Sequence, residues 1–230
     1  NKLNGYFDYY EKISHNYLIW NRRFKPKNKI IKLPSMLNFP NNNKNQIKKN
    51  CLIVIGKISR YSRKSESTPF FDEFVKEFND IFLLCRLLDK KIKKNLKLRL
   101  ITPATLPAAE SKFCKFFGEN SIENNKTTNY IASLNKTKLA IFSYPQTAFA
   151  EAMCNNTPSI LLIWKNHWLQ YDELEQFIKK LKKCNIVFDD FNKAKKFINS
   201  RWDKIEDWWM SNEVQNTRKY FNENIFKFSK

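Results

Sequence analysis

The hydrophobic pattern along the chain changes its period several times, and each change marks an element. Cys51-Leu52-Ile53-Val54-Ile55-Gly56 is an unbroken apolar run between a polar stretch and a glycine. Without alternation, such a run predicts a strand covered on both faces, as in a parallel sheet. From Pro69 to Leu88 the apolar residues Phe70, Phe71, Phe74, Val75, Phe78, Ile81, Phe82 and Leu84 recur at helical spacing, and Pro69 sits where a helix can begin. Leu96 to Ile101 reads as a second strand, ended by Thr102-Pro103, and residues 107–117 and 127–136 as short helices. Leu139 to Phe142 is a third buried strand, followed by a helix from Thr147 to Asn155 and a fourth strand from Pro158 to Ile163. Tyr171 to Lys183 reads as a helix, Asn185 to Phe188 as a short strand, and Asp190 to Ile198 as a helix. One or two terminal helices carry Trp202, Trp208 and Trp209 between Arg201 and Phe228.

Strand and helix alternate throughout, with no internal repeat. The expected fold class is therefore α/β, a Rossmann-like parallel sheet with helices on both faces and right-handed crossovers. Before it, residues 1–49 read as an irregular aromatic segment and a linker, with Pro34 and Pro40 bracketing a turn ahead of the polar stretch Asn41 to Asn50. Residues 50–200 form the expected organised domain, and 201–230 the C-terminal helices.

Composition narrows the chemistry. With only 3 glycines in 230 residues, neither a Walker A loop nor a G-x-G-x-x-G turn can be built. The 5 cysteines are odd in number and widely spaced, without a C-x-x-C pair, and only 2 histidines accompany them. The expectation is reduced thiols in a cytoplasmic protein, with no metal site and no disulfide framework. No apolar run approaches the roughly 18 residues that would span a bilayer, and no signal core opens the chain. The sequence starts at Asn1 rather than Met, as expected of a piece of a longer protein. The formal charge of +20 has two readings. A basic face can attract nucleic acid or another anionic polymer, and lysine-rich helix faces can also sit at an anionic membrane surface. Neither an RNP-type aromatic strand nor a zinc finger is present, so nucleic acid is not the expected partner.

In open parallel sheets ligands lie beyond the carboxyl ends of the strands. After the first strand come Lys57, Ser59, Arg60, Tyr61, Ser62 and Arg63. Arg99 lies inside the end of the second strand, with Thr102 and Thr105 beyond it, and the fourth leads into Trp164, Lys165, Asn166, His167 and Trp168. After the third comes Ser143-Tyr144-Pro145-Gln146-Thr147, opening directly into a helix. Ser143, Gln146 and Thr147 are candidate caps, and the first N–H groups of that helix offer an anion site that needs no glycine. Glu151 stands one turn beyond Thr147 on the same face, where a carboxylate can accept two hydrogen bonds from a ribose diol. An ordinary capped helix with a solvated glutamate would have the same spacing. The acidic groups Asp172, Glu173, Glu175, Asp189 and Asp190 read as caps and dipole partners, His167 as a packing residue or a general base, and Trp208-Trp209 as an anchor for the terminal helix.

The segment Ser143-Tyr144-Pro145-Gln146-Thr147-Ala148-Phe149-Ala150-Glu151-Ala152-Met153-Cys154-Asn155-Asn156-Thr157-Pro158 resembles the donor-site segment of GT-B glycosyltransferases, a hydroxyl-rich turn leading to a Glu-Ala helix and a Pro-initiated strand. More closely, the chain resembles the surface-polysaccharide (O-antigen) biosynthesis transferase family in its C-terminal region. Further matching features are the strand ending near Trp164, Trp168 followed by acidic residues, and Trp208-Trp209 with Val214-Gln215. The likeness extends from about residue 15 to 228.

This resemblance implies the C-terminal, nucleotide-sugar-binding half of a GT-B glycosyltransferase, acting in the cytoplasm or at its membrane on a saccharide or lipid-linked acceptor. The donor is a substrate, so no cofactor is implied, and an N-terminal domain of the same protein becomes an expected partner. It implies that Thr147 and the neighbouring amides, with Ser143 and Gln146 in the same turn, hold the donor phosphate and that Glu151 holds the ribose. Lys57, Arg60 and Arg99 are implied to neutralise phosphate charge. The sequence departs from many retaining GT-B enzymes in one respect: Ser143, eight residues before Glu151, stands where they carry a second glutamate. Two rival readings stay open, a non-catalytic module for nucleic acid or anionic polymer and a GT-B-like nucleotide-sugar epimerase.

Overall fold

The structure, a computed structural model, describes residues 12–19, 30–32, 47–56, 71–100, 107–123, 128–164 and 172–224. The chain forms two compact units, one of residues 1–40 and 218–230 and the other of residues 41–217. In the first, β1 (Tyr17–Ile19) pairs in parallel with β2 (Ile30–Lys32), with Tyr17 opposite Ile30.

The second unit is built on a five-stranded parallel sheet of β3 (Asn50–Ile55), β4 (Leu96–Leu100), β5 (Thr137–Phe142), β6 (Ser159–Leu162) and β7 (Val187–Phe188), in the order β4-β3-β5-β6-β7. Its helices are α1 (Phe71–Leu87), α2 (Lys90–Lys93), α3 (Pro107–Phe117), α4 (Tyr130–Asn135), α5 (Thr147–Cys154), α6 (Asp172–Lys183), α7 (Phe191–Arg201) and α8 (Ile205–Trp209), and α9 (Asn212–Asn224) closes the described chain. This is the Rossmann-like α/β arrangement that the alternation of patterns predicts. The short helix α2 and the 3-10 turn Glu119–Ser121 lie in stretches too short and polar to announce themselves.

Strand composition explains strand position. β3, unbroken in its apolar run, is an inner strand with neighbours on both sides, and Cys51 to Ile55 are fully buried. β4 alternates instead: Leu96, Leu98 and Leu100 are buried while Lys97 and Arg99 are half-buried, as suits an edge strand. Successive side chains of a strand point to opposite faces. Cys51, Ile53 and Ile55 join Leu139, Ile141, Ile160 and Leu162 in a core with α1, α3 and α7. Leu52, Val54, Ala140 and Phe142 are buried outside that core, and the Phe142 ring meets Phe149 of α5 edge-on at 5.5 Å. The cysteines of the described residues are free thiols, and burial pushes Cys85 up to about 12. Among the described residues no helix is long and apolar enough to cross a membrane.

The Trp-Trp pair fastens the C-terminal helices to the sheet. Asn156, in the left-handed region at φ 55°, turns the chain between α5 and β6, a conformation asparagine tolerates better than most residues. Trp209, 1% exposed, donates its indole N–H to the Asn156 side-chain oxygen at 2.8 Å, and the Gln215 amide donates to the same oxygen at 3.1 Å. Trp208 donates to the Cys184 carbonyl at 2.9 Å. Replacing Trp209 by Ala should cost about 3–5 kcal/mol in chemical denaturation through the cavity left behind. Trp209→Phe, which keeps most of the ring and deletes the donor, should cost about 1–3 kcal/mol.

Candidate functional site

Strand order fixes where a ligand can sit. β3 is followed by β4 on one side, and the chain then crosses to β5 on the other. The connections leaving β3 and β5 therefore diverge, which makes those two carboxyl ends the switch point of a doubly wound sheet, where such sheets form their ligand crevice. Gly56 ends one side of it and Ser143 to Thr147 the other.

The two lips are close. The Gly56 N–H faces the Ser143 hydroxyl oxygen at 3.5 Å, and Ser143 donates its own backbone N–H to the Val54 carbonyl at 3.2 Å. A β-carbon on Gly56 would stand 3.1 Å from the Tyr144 ring, a tight contact that the absence of a side chain at Gly56 relieves. Ser143 and Tyr144 are buried, whereas Pro145, Gln146 and Thr147 are exposed. Ser143 thus ties β5 to β3 and does not cap the helix. Gln146 holds the N-cap position without a side-chain bond, and Thr147 is the first residue of α5. Phe149 and Ala150 donate to the Gln146 carbonyl at 3.1 and 3.2 Å. The amides of Thr147 and Ala148 have no acceptor within a helix that starts at Thr147, and they carry the positive end of its dipole.

Inside this rim lies a group of polar side chains from four elements. Glu151 on α5 is partly buried, and burial raises its carboxyl above the usual range while Arg99 pulls it back. The Tyr144 hydroxyl is buried without a hydrogen-bond partner among protein atoms. Its phenol is raised by burial first and then by the Glu151 charge, with Arg99 opposing. Tyr130 on α4 donates to the Ala148 carbonyl at 2.7 Å, and burial followed by the charge of Glu151 raises it well above its ordinary value. The Arg99 guanidinium pairs with Glu123 at 2.7 Å, donates to the Thr128 carbonyl at 3.2 Å and the Ser133 hydroxyl at 3.3 Å, and lies 5.3 Å from the centre of the Tyr130 ring. It is a clamped cation, and its charge reaches the crevice through the field at Glu151, Tyr144 and Tyr130.

Of the residues the sequence nominates, Arg99, Ser143, Gln146, Thr147 and Glu151 come together on the β3–β5 side of the sheet. Lys57, Arg60, Thr102, Thr105, His167 and Trp168 lie outside the described residues. Trp164 turns away to donate to Asp80 at 2.9 Å. Asp190 caps α7 through Asn192 and Lys193, and Asp189 pairs with Lys182 at 2.8 Å. Glu175 pairs with Lys179 along α6. Tyr130, Glu123 and the Tyr144 hydroxyl escape the sequence reading. Nothing in the local pattern of α4 sets Tyr130 apart, although a rare glycine directly after the inner strand does signal that something approaches there. Among the described residues no group of three or more His, Cys, Asp or Glu side chains gathers as a metal site.

No curated protein and no solved structure matches the chain. A family model does, over residues 1–230. The chain belongs to the LIC12162 family of transferases.

Proposed function

We propose that the transferred group is a glycosyl unit, carried by a nucleotide-activated donor that binds in the β3–β5 crevice, and that the chain is the donor-binding half of a GT-B-like glycosyltransferase of surface-polysaccharide (O-antigen) assembly. The observation that carries the reading is the meeting, at the switch point, of free α5 amides with a partly buried carboxylate one turn further along the same helix. A nucleoside diphosphate has both complements: phosphate oxygens for amides at the positive end of a helix, and a ribose diol for a carboxylate. In the proposed reaction the bond between the sugar C1 and the phosphate oxygen breaks, and its electron pair leaves with the nucleotide. The acceptor hydroxyl oxygen forms the new bond to C1, and its proton passes to water. The α5 amides would stabilise the charge that grows on the departing phosphate, and Lys57 and Arg60, which follow β3 in the sequence, would add to it. Arg99 would act by holding Tyr130, and through it the first turn of α5. The acceptor, a saccharide or lipid-linked saccharide, would enter from the part of the enzyme that faces this half in the cytoplasm.

Calorimetric titration with UDP, GDP and CMP tests the reading: one nucleotide should bind saturably, and Glu151→Ala should weaken it roughly ten- to hundredfold, as loss of a charge-assisted hydrogen bond does. Failure of all three to bind the full-length protein would defeat the proposal. Affinity should also depend on pH. The ionised Glu151 accepts from both diol hydroxyls through charged oxygens, whereas the protonated acid gives up part of that acceptor capacity. The Glu151 carboxyl is raised. Binding should therefore decline as pH falls, starting above the usual carboxylate range. The same shift has a consequence for the unliganded protein. Between the ordinary and the raised value the folded state holds the proton more tightly than the unfolded chain, so stability falls as pH rises through that window. Glu151→Gln should raise Tm modestly at neutral pH, with the gain vanishing below the ordinary glutamate range.

A further inference from the structure

The outer face of α1 breaks the pattern that its buried face obeys. Phe74, Phe78, Ile81, Phe82, Leu84 and Cys85 already supply its core stripe. Leu83 and Leu87, one turn apart on the solvent side, are nonetheless 51% and 48% exposed. Phe116 near the end of α3 is 52% exposed, and its ring meets Phe82 at 5.0 Å, so α3 lines up beside α1 there. An amphipathic helix of a soluble protein ordinarily carries polar residues at such positions.

Cations lie against Phe116 and the neighbouring rings of this surface. The Arg86 guanidinium lies over the Phe116 ring at 5.1 Å, and Lys112 reaches over the Phe82 ring at 4.5 Å. Lys115 is exposed beside Phe116, and beyond Leu87 the exposed Asp89 holds the N-cap position of α2, which opens with Lys90 and Lys91. Residues 81–87 of α1 and 111–117 of α3 contain no acidic residue. The acids of α1 lie elsewhere: Asp72 and Glu73 in its first turn, Glu77 buried, and Asp80 bonded to Trp164.

We infer that the C-terminal halves of α1 and α3 dock on the surface of an anionic phospholipid bilayer. Leu83, Leu87 and Phe116 enter the acyl boundary while Arg86, Lys112 and Lys115 meet the phosphate headgroups. Charge complementarity selects this occupant. Nucleic acid would satisfy the cations but leave two aliphatic side chains against water, whereas a bilayer offers an anionic layer directly above an apolar one. The long basic stems can lie along the apolar surface with their charges at headgroup level.

The inference is tested on the full chain by co-sedimentation with vesicles of phosphatidylcholine alone and of phosphatidylcholine mixed with phosphatidylglycerol. Binding is expected to the mixed vesicles only. Leu83→Ser with Leu87→Ser, which leaves the aromatic cluster intact, should weaken it by on the order of tenfold, and adding Phe116→Ser should weaken it further. Arg86→Gln with Lys112→Gln and Lys115→Gln should weaken binding far more than the equal charge loss in Lys179→Gln with Lys193→Gln and Lys196→Gln. Equal effects of the two triple variants, or undiminished binding by the serine variants, would overturn the inference, because net charge alone would then explain attraction. Absence of vesicle binding, with self-association that the serine variants abolish, would overturn it in favour of a contact between copies.

Discussion

The rest of the structure depends on a constraint placed on one strand. β3 must be covered on both faces and paired on both sides, because its residues from Cys51 to Ile55 have no polar side to offer water. A strand that begins a parallel sheet and ends up inside it forces the chain to cross from one side to the other. That crossing opens the crevice between β3 and β5. The crevice is thus a by-product of burying an apolar run, and the residues at its lips acquire their significance from topology before chemistry.

Packing then sets how the lips are made. Ser143 bridges the two strand ends, and the Tyr144 ring packs so close to Gly56 that a β-carbon there would stand only 3.1 Å away. Arg99 sits on an edge strand, yet its charge is directed inward by Glu123 and by the carbonyl and hydroxyl groups around it. Tyr130 converts that clamp into control of α5, since its hydroxyl holds the Ala148 carbonyl in the first turn. The result is a braced helix start at which Gln146 and Thr147 are exposed. The lipid-facing surface inferred on α1 and α3 lies at the other edge of the sheet, because helices that link parallel strands return to the edge where the next strand begins. Donor entry into the crevice is left clear of it.

Most of the fold was legible because its elements carry strong periodicity. The bare apolar run of β3, the helical spacing of α1 and the hydroxyl-rich turn before α5 each point to one structure, and the observed bounds agree within a few residues. Legibility ended where the signal was tertiary. Ser143 looked like a cap because caps are recognised from sequence neighbours, whereas its actual partner, Gly56, is far away in the chain. The partners of Arg99 are not legible in the sequence, because Glu123 and Ser133 reach it only through the sheet and α4. The exposed Leu83 and Leu87 were invisible for a related reason: a helix hydrophobic beyond its buried stripe cannot be told from sequence apart from one that is simply well buried.

The central claim is that anionic nucleotide groups sit on the first turn of α5. Amide hydrogen exchange with and without a saturating nucleoside diphosphate tests it most directly. The account predicts slowed exchange at Thr147 and Ala148, the amides left without helical acceptors, together with Gly56 across the crevice. Protection confined to the basic ends of α1 and α3, with residues 143–151 unchanged, would contradict it.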